Sequence, residues 1–89
     1  MTITKDNIRE CLRFLTSHLN SLPNTSAAFK VSQRGVPHIV LWVNGHDLSV
    51  TYFLKGGYFK IFDRSGYIPK RDKYFRTGKE TYKYITTLI

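Results

Sequence analysis

Aromatic and cationic side chains are concentrated together in the second half of this chain. Ten of the thirteen aromatic residues and nine of the fourteen Lys and Arg residues lie between Tyr52 and Tyr84, where the only acidic residues are Asp63, Asp72 and Glu80. Aromatic rings stack on nucleobases, and cationic side chains neutralise phosphates. The combination therefore predicts a nucleic acid, DNA or RNA, as the partner.

A basic run near the C-terminus is the first candidate for contacts with a phosphate backbone. Its members are Lys70, Arg71, Lys73, Arg76, Lys79 and Lys83. The run continues into a predicted helix, whose exposed backbone amides also favour anions. The alternative is a solvated surface that only keeps a small protein soluble.

The three histidines and the single cysteine are the only metal-prone side chains besides the carboxylates. The spacing of Cys11, His18, His38 and His46 matches no closed zinc pattern, so we expect neither a metal site nor another cofactor. His38 is the candidate acid or base for cleaving a phosphodiester, because histidine is the side chain that most often has this role in catalysis. No second catalytic residue accompanies it, and we do not expect an enzyme.

Length and composition indicate a small globular protein. One domain over residues 1–89 fits the length, and 42% hydrophobic with 22% charged residues is ordinary for a soluble fold. The net charge of +8 favours polyanionic partners. A single cysteine excludes an internal disulfide, and neither a signal peptide nor a membrane-spanning stretch is visible. We therefore expect a cytoplasmic protein without a membrane partner.

Leucine and isoleucine residues near the N-terminus recur with the spacing of one helical face. These residues are Ile8, Leu12, Leu15, Leu19 and Leu22. The spacing predicts a helix over residues 5–20, with Thr4 or Asp6 as N-cap and a stop before Pro23.

Four short runs with period two follow this helix, each rich in β-branched and aromatic residues. They are Ala27–Gln33, His38–Val43, Leu48–Leu54 and Tyr58–Asp63. Short connectors that contain glycine separate them, and Asn44-Gly45 is the strongest turn signal. Connections this short join antiparallel neighbours, so the runs predict a four-stranded antiparallel meander.

The segment from Arg64 to Arg76 shows no clear period and is predicted as a loop or an extended arm. The sequence Thr77-Gly78-Lys79-Glu80 then fits a capping box and predicts a last helix over Gly78–Leu88. The predicted fold class is α+β, with an N-terminal helix, a four-stranded antiparallel meander sheet and a short C-terminal helix.

Alternation along the strands assigns side chains to two faces of the sheet. One face is almost entirely apolar and is the predicted core, with the first helix as its cover. Its members are Phe29, Val31, Ile39, Leu41, Val43, Leu48, Val50, Tyr52, Leu54, Phe59 and Ile61. The opposite face mixes rings with polar and basic residues. The candidate nucleic-acid contacts on or beside it are Trp42, Tyr58, Lys60, Phe62 and Arg64.

The rings on this second face would form a larger apolar patch than soluble monomers usually leave in water. The favoured interpretation is that the C-terminal helix or the segment Tyr67–Phe75 folds across the patch and forms a second small core. The alternative leaves part of the face open for stacking single-stranded bases, with Lys30, Lys60 and Arg64 holding the phosphates. A third possibility is burial against another subunit or a protein partner.

Two families show limited resemblance to this chain. The order helix, antiparallel strands, helix resembles double-stranded-RNA-binding domains, but this chain has a fourth predicted strand, and its last helix begins TGKE instead of with a basic cluster. The segment Phe29 to His38, FKVSQRGVPH, is similar to HicA-type mRNA-cleaving toxins, in which a glycine precedes a catalytic histidine. Here Val36-Pro37 separates Gly35 from His38.

These observations rank three functions. The first is a small basic nucleic-acid-binding protein, such as a regulator or accessory factor of a phage or mobile element. The second is a protein-binding inhibitor or adaptor that docks on an acidic surface of a host enzyme, because aromatic residues and Arg are common interface anchors. The third is a HicA-like ribonuclease that relies on His38.

Overall fold

A computed structural model describes residues 3–64 and 72–89 of the chain. Its elements, in chain order, are α1 (Ile8–Asn20), β1 (Thr25–Val31), β2 (Pro37–Val43), β3 (His46–Phe53), β4 (Tyr58–Asp63), β5 (Lys73–Phe75) and α2 (Gly78–Thr86). The strands form one antiparallel sheet in the order β1-β2-β3-β4-β5. The predicted α+β class with a helix at each end is confirmed, but the predicted number of strands is wrong, because the described residues form a sheet of five.

The additional strand, β5, lies in the segment that we predicted as a loop or extended arm. It pairs with β4 through Phe59 opposite Phe75, Lys60 opposite Tyr74 and Ile61 opposite Lys73. Three residues are too few to display a period of two, so sequence alternation does not reveal this strand. Its pairing places Tyr74 on one face of the sheet and Phe75 on the other.

The turn between β2 and β3 sets the register of the central strands. Asn44 and Gly45 both have positive φ values, 46° and 88°, as a two-residue type I′ hairpin requires. The turn brings Val43 opposite His46 and Leu41 opposite Leu48. The predicted turn signal is therefore the one that aligns β2 with β3.

The hydrophobic core lies between one face of the sheet and both helices. From α1 it receives the buried side chains of Ile8, Leu12, Leu15 and Leu19, and from α2 that of Ile85. The strands contribute Ala27, Ile39, Leu41, Val43, Leu48, Val50, Phe59 and Ile61. Val31 and Leu54, which we predicted for this core, are exposed near the strand ends.

Helix α2 lies on the same side of the sheet as α1. Its Ile85 is fully buried in the shared core, and the ring of Tyr84 lies 5.3 Å from that of Phe75. Thr77 caps the helix by accepting a hydrogen bond from the Glu80 amide at 3.1 Å, as the capping-box pattern predicts. The expectation that α2 covers the second face of the sheet is therefore wrong, and residues 67–71 of the other proposed cover lie outside the described residues.

The exposed edge of the sheet at β1 is protected by a side chain from α1. The Asn20 amide nitrogen donates to the Ala27 carbonyl at 2.8 Å, and the Asn20 amide oxygen accepts from the Ala27 N–H at 2.7 Å. Unpaired backbone groups on an edge strand invite pairing with other chains. Asn20 therefore occupies one donor and one acceptor of that edge and fixes the end of α1 to β1.

Replacing Asn20 by Ala should lower the free energy of unfolding by about 1–2 kcal/mol, because both hydrogen bonds to Ala27 are removed. Asn20→Asp should also destabilise, since it places a carboxylate oxygen against the Ala27 carbonyl. Urea denaturation measures both effects, with Ser17→Ala on the exposed side of α1 as the control. If Asn20→Ala unfolded at the same urea concentration as the wild type, this role of Asn20 would be contradicted.

Candidate nucleic-acid interface

The face of the sheet that points away from α1 and α2 is called here the open face. Alternation assigns to it Ser26, Ala28, Lys30, His38, Val40, Trp42, Asp47, Ser49, Thr51, Phe53, Tyr58, Lys60, Phe62 and Tyr74. No helix or strand formed by the described residues covers this face. Three of its rings are well exposed: Tyr74 at 55%, Trp42 at 49% and Phe53 at 39%.

Three rings of the open face, Phe53 on β3, Tyr58 on β4 and Tyr74 on β5, form a cluster. The ring centroids of Phe53 and Tyr58 are 5.3 Å apart, and those of Tyr58 and Tyr74 are also 5.3 Å apart with an interplanar angle of 72°. Contacts of this kind stabilise aromatic pairs beyond simple burial. The cluster therefore supports the exposed Tyr74 ring from one side.

Gly56 makes room for this cluster in the turn between β3 and β4. A Cβ atom at position 56 would collide with the ring of Tyr58. The absence of a side chain at this position lets Tyr58 lie close to the turn backbone while it contacts Phe53 and Tyr74.

Lys60 lies beside the ring cluster and forms an ion pair with Asp72. Its Nζ atom is 3.3 Å from Asp72 Oδ2 and 5.8 Å from the centroid of the Phe53 ring. An ammonium group has three donors, so the contact with Asp72 leaves donors for a further oxygen ligand. The side chain of Lys60 retains 29% exposure, which keeps this group within reach of a ligand.

A single register line crosses all five strands on the open face, and we call it the central row. It consists of Lys30, His38, Thr51, Lys60 and Tyr74, each opposite the next. Neighbouring strands are about 4.8 Å apart, so the row is about 19 Å long. It carries two lysines and ends at the most exposed ring of the face.

Charges are unevenly distributed between the two ends of the sheet. Within residues 25–64 and 72–77, all three carboxylates, Asp47, Asp63 and Asp72, lie toward the end of the β2–β3 turn, and Arg64 is beside them. The other half contains the remaining basic residues of these ranges and is called the cationic end. Its members are Lys30, Arg34, Lys55, Lys60, Lys73 and Arg76.

The predicted site residues are divided among different surfaces. Four of them, Trp42, Tyr58, Lys60 and Phe62, lie on the open face. Arg76 follows β5 and lines a small recess with Tyr58 and Tyr74. Arg64 follows β4, is exposed, and donates its backbone N–H to the Asp47 carbonyl at 2.7 Å.

The basic run does not form one surface on the open face. Lys73 lies opposite Ile61, on the helix-covered side of the sheet, and Lys79 and Lys83 are exposed on α2. Lys70 and Arg71 lie outside the described residues. Tyr74 was not among the predicted site residues, because its only sequence signal is its position between Lys73 and Phe75 in a strand too short to recognise.

His38 lies in the central row between Lys30 and Thr51. Its Nδ1 atom is 3.1 Å from the Val36 carbonyl. Because a carbonyl only accepts hydrogen bonds, this contact requires a proton on Nδ1. The contact orients the imidazole ring along the start of β2.

A groove of about 660 Å³ lies on the opposite side of the molecule, between α1 and the start of α2. Phe59 and Phe14 form part of its lining. Phe14 is 69% exposed, and its ring centroid is 4.5 Å from that of His18. Cys11 also lines the groove. Among the described residues, no group of three or more His, Cys, Asp or Glu side chains is placed to hold a metal ion.

Comparison of the chain with protein-family models, with curated proteins and with solved structures found no match in any of the three. Within residues 3–64 and 72–89, neither helix has the length and apolar character needed to cross a lipid bilayer.

Substituting Gly56 by Ala should lower the free energy of unfolding by about 1–2 kcal/mol, because the added methyl group displaces the Tyr58 ring from Phe53 and Tyr74. In a Tyr58→Ala background the same substitution should cost much less, since the colliding ring is absent. A double-mutant cycle measured by urea denaturation isolates this coupling. Equal costs in the two backgrounds would show that Gly56 does not serve the ring cluster.

Proposed function

We propose that this protein binds nucleic acid through the open face of its sheet. The observation that carries the proposal is the combination of exposed rings and lysines on a face that neither helix covers. Phe53, Tyr58 and Tyr74 form a connected cluster at the cationic end, and Lys30 and Lys60 lie in the central row.

The exposed rings support a ligand-binding role for this face. Large rings left in water form a patch that soluble proteins usually keep for an interaction. The rings here alternate with Lys30, Lys60 and hydroxyl side chains, so the surface matches a ligand that has both flat apolar parts and charged parts. Nucleotides combine these two properties.

The charge distribution supports a polyanionic ligand. The chain has a net charge of +8, and the cationic end brings together six basic residues, one of which, Lys60, is paired with Asp72. A local positive potential attracts a polyanion and accelerates its association. The ring cluster lies within this potential.

A protein with an acidic surface is the second candidate partner. The same exposure of Trp42, Phe53 and Tyr74 favours it, because buried aromatic side chains are common anchors of protein interfaces. Affinity purification after nuclease treatment separates the two functions. One stoichiometric protein partner, without bound nucleic acid, would favour the inhibitor or adaptor function.

Oligonucleotide binding should weaken as salt increases, and the open-face lysines should account for part of the slope. For Lys30→Gln with Lys60→Gln, the slope of log K against log salt should decrease by about 0.7 for each phosphate of a single strand that is no longer neutralised. Lys79→Gln with Lys83→Gln removes the same charge from α2 and should leave the slope close to the wild-type value. Fluorescence anisotropy with a labelled oligonucleotide over a series of NaCl concentrations measures both.

Equal decreases in the two double variants would mean that the overall charge, and not the open face, attracts the oligonucleotide. If no RNA or DNA oligonucleotide binds at low salt, the proposed function is wrong.

A further inference from the structure

We infer that the ligand of the open face is a single-stranded nucleic acid that crosses the sheet along the central row, with a base stacked on Tyr74. This inference rests on the proposed function and specifies its substrate class. The path begins near Lys30 on β1 and ends at the β5 edge, where Tyr74 is the most exposed ring of the face.

The width of the sheet disfavours a duplex as the ligand. The central row is about 19 Å long, whereas the major groove of B-form DNA is about 12 Å wide and admits a helix or a two-stranded ribbon. A five-stranded sheet therefore cannot enter the groove with its face. The bases of a duplex are also stacked on each other and cannot stack on Tyr74, whereas those of a single strand can.

Tyr74 is positioned to serve as a stacking platform. Tyr58 contacts it in an edge-to-face arrangement, and Phe53 supports Tyr58 in turn. These contacts restrict the Tyr74 ring while 55% of the residue remains exposed. A ring that is already held in place loses little conformational entropy when a base stacks on it.

The two lysines of the central row are spaced to contact different phosphates. Lys30 on β1 and Lys60 on β4 are three strand spacings apart, which corresponds to about 14 Å between their backbone positions. Asp72 holds Lys60 at a distance of 3.3 Å beside the ring cluster. The backbone of a single strand can therefore pass both cations on its way to Tyr74.

Trp42 lies away from this path. It is four residues from His38 along β2, about 13 Å from the central row, and it faces Asp47 on β3. A single-stranded nucleic acid bound along the central row does not contact Trp42. This separation distinguishes a defined path from general stacking on any exposed ring.

The test measures the affinity of the full chain for a labelled single-stranded oligonucleotide. Unlabelled duplex of the same sequence is the competitor, and the experiment is done with RNA and with DNA. The single strand should bind at least about tenfold more tightly than the duplex. Tyr74→Ala should weaken single-strand binding by about five- to hundredfold, and Tyr74→Phe, which keeps the ring, should bind like the wild type. Phe14→Ala, which removes an exposed ring on the opposite side of the molecule, should change the affinity by less than about twofold, and Trp42→Ala, off the path on the same face, should cost much less than Tyr74→Ala.

Urea denaturation of Tyr74→Ala checks that the variant remains folded. If it does not, Tyr74→Phe still tests the inference, because this variant keeps the ring and a loss of its affinity would contradict stacking on the ring. A duplex that competes as well as the single strand would overturn the inference, and so would an unchanged affinity for Tyr74→Ala. Equal losses of affinity for Trp42→Ala and Tyr74→Ala would overturn the assigned path. In each of these cases the proposed function stands if the Lys30 and Lys60 substitutions still reduce the salt slope. If no oligonucleotide binds at all, both the inference and the proposed function are wrong.

Discussion

The burial of both helices against the same face of the sheet is the constraint on which the rest of this structure depends. Helix α1 presents one leucine-rich stripe, α2 presents Ile85, and both meet the strand residues of a single core. A chain of 89 residues can bury only about two-thirds of its unfolded surface, so it has little apolar material for a second core. The consequence, within residues 3–64 and 72–89, is a sheet with one face sealed by the helices and one face that neither helix covers.

The sheet also fixes the positions of the groups on the open face. The Asn44-Gly45 turn aligns β2 with β3, and the pairing of β4 with β5 brings Tyr74 opposite Lys60. Because the side chains in the central row project from paired strands, their spacing is set by backbone hydrogen bonds and not by flexible loops. The lysines and rings are therefore already arranged in the free protein, which would lower the entropic cost of binding the proposed ligand.

The parts of the fold that depend on local sequence were predictable. The leucine spacing identified α1, alternation separated the two faces of β1 to β4, and the sequence from Thr77 to Glu80 marked the start of α2. In the same way, alternation placed Trp42, Tyr58, Lys60 and Phe62 on one face. These features repeat over several residues or have a defined local chemistry, so a single sequence displays them.

The parts that depend on distant contacts were not predictable. The side chosen by α2 follows from the burial of Ile85 and from the packing of Tyr84 on Phe75, and Phe75 takes its place only when β5 pairs with β4. The same pairing directs Tyr74 to the open face and Lys73 to the other side, so the basic run of the sequence does not become one surface. The three residues of β5 are too few to display a period, so the sequence shows neither the pairing of β5 with β4 nor the packing of Tyr84 on Phe75.

The accessibility of Trp42 in the free protein tests most directly whether the second face of the sheet is open. Trp42 is the single tryptophan of the chain and is 49% exposed, so its fluorescence reports on this face alone. The structure predicts emission of a partly hydrated indole and ready quenching by acrylamide, since about half of the residue is exposed. Blue-shifted emission with weak quenching would mean that the face is covered, and it would contradict the account of an open ligand-binding surface.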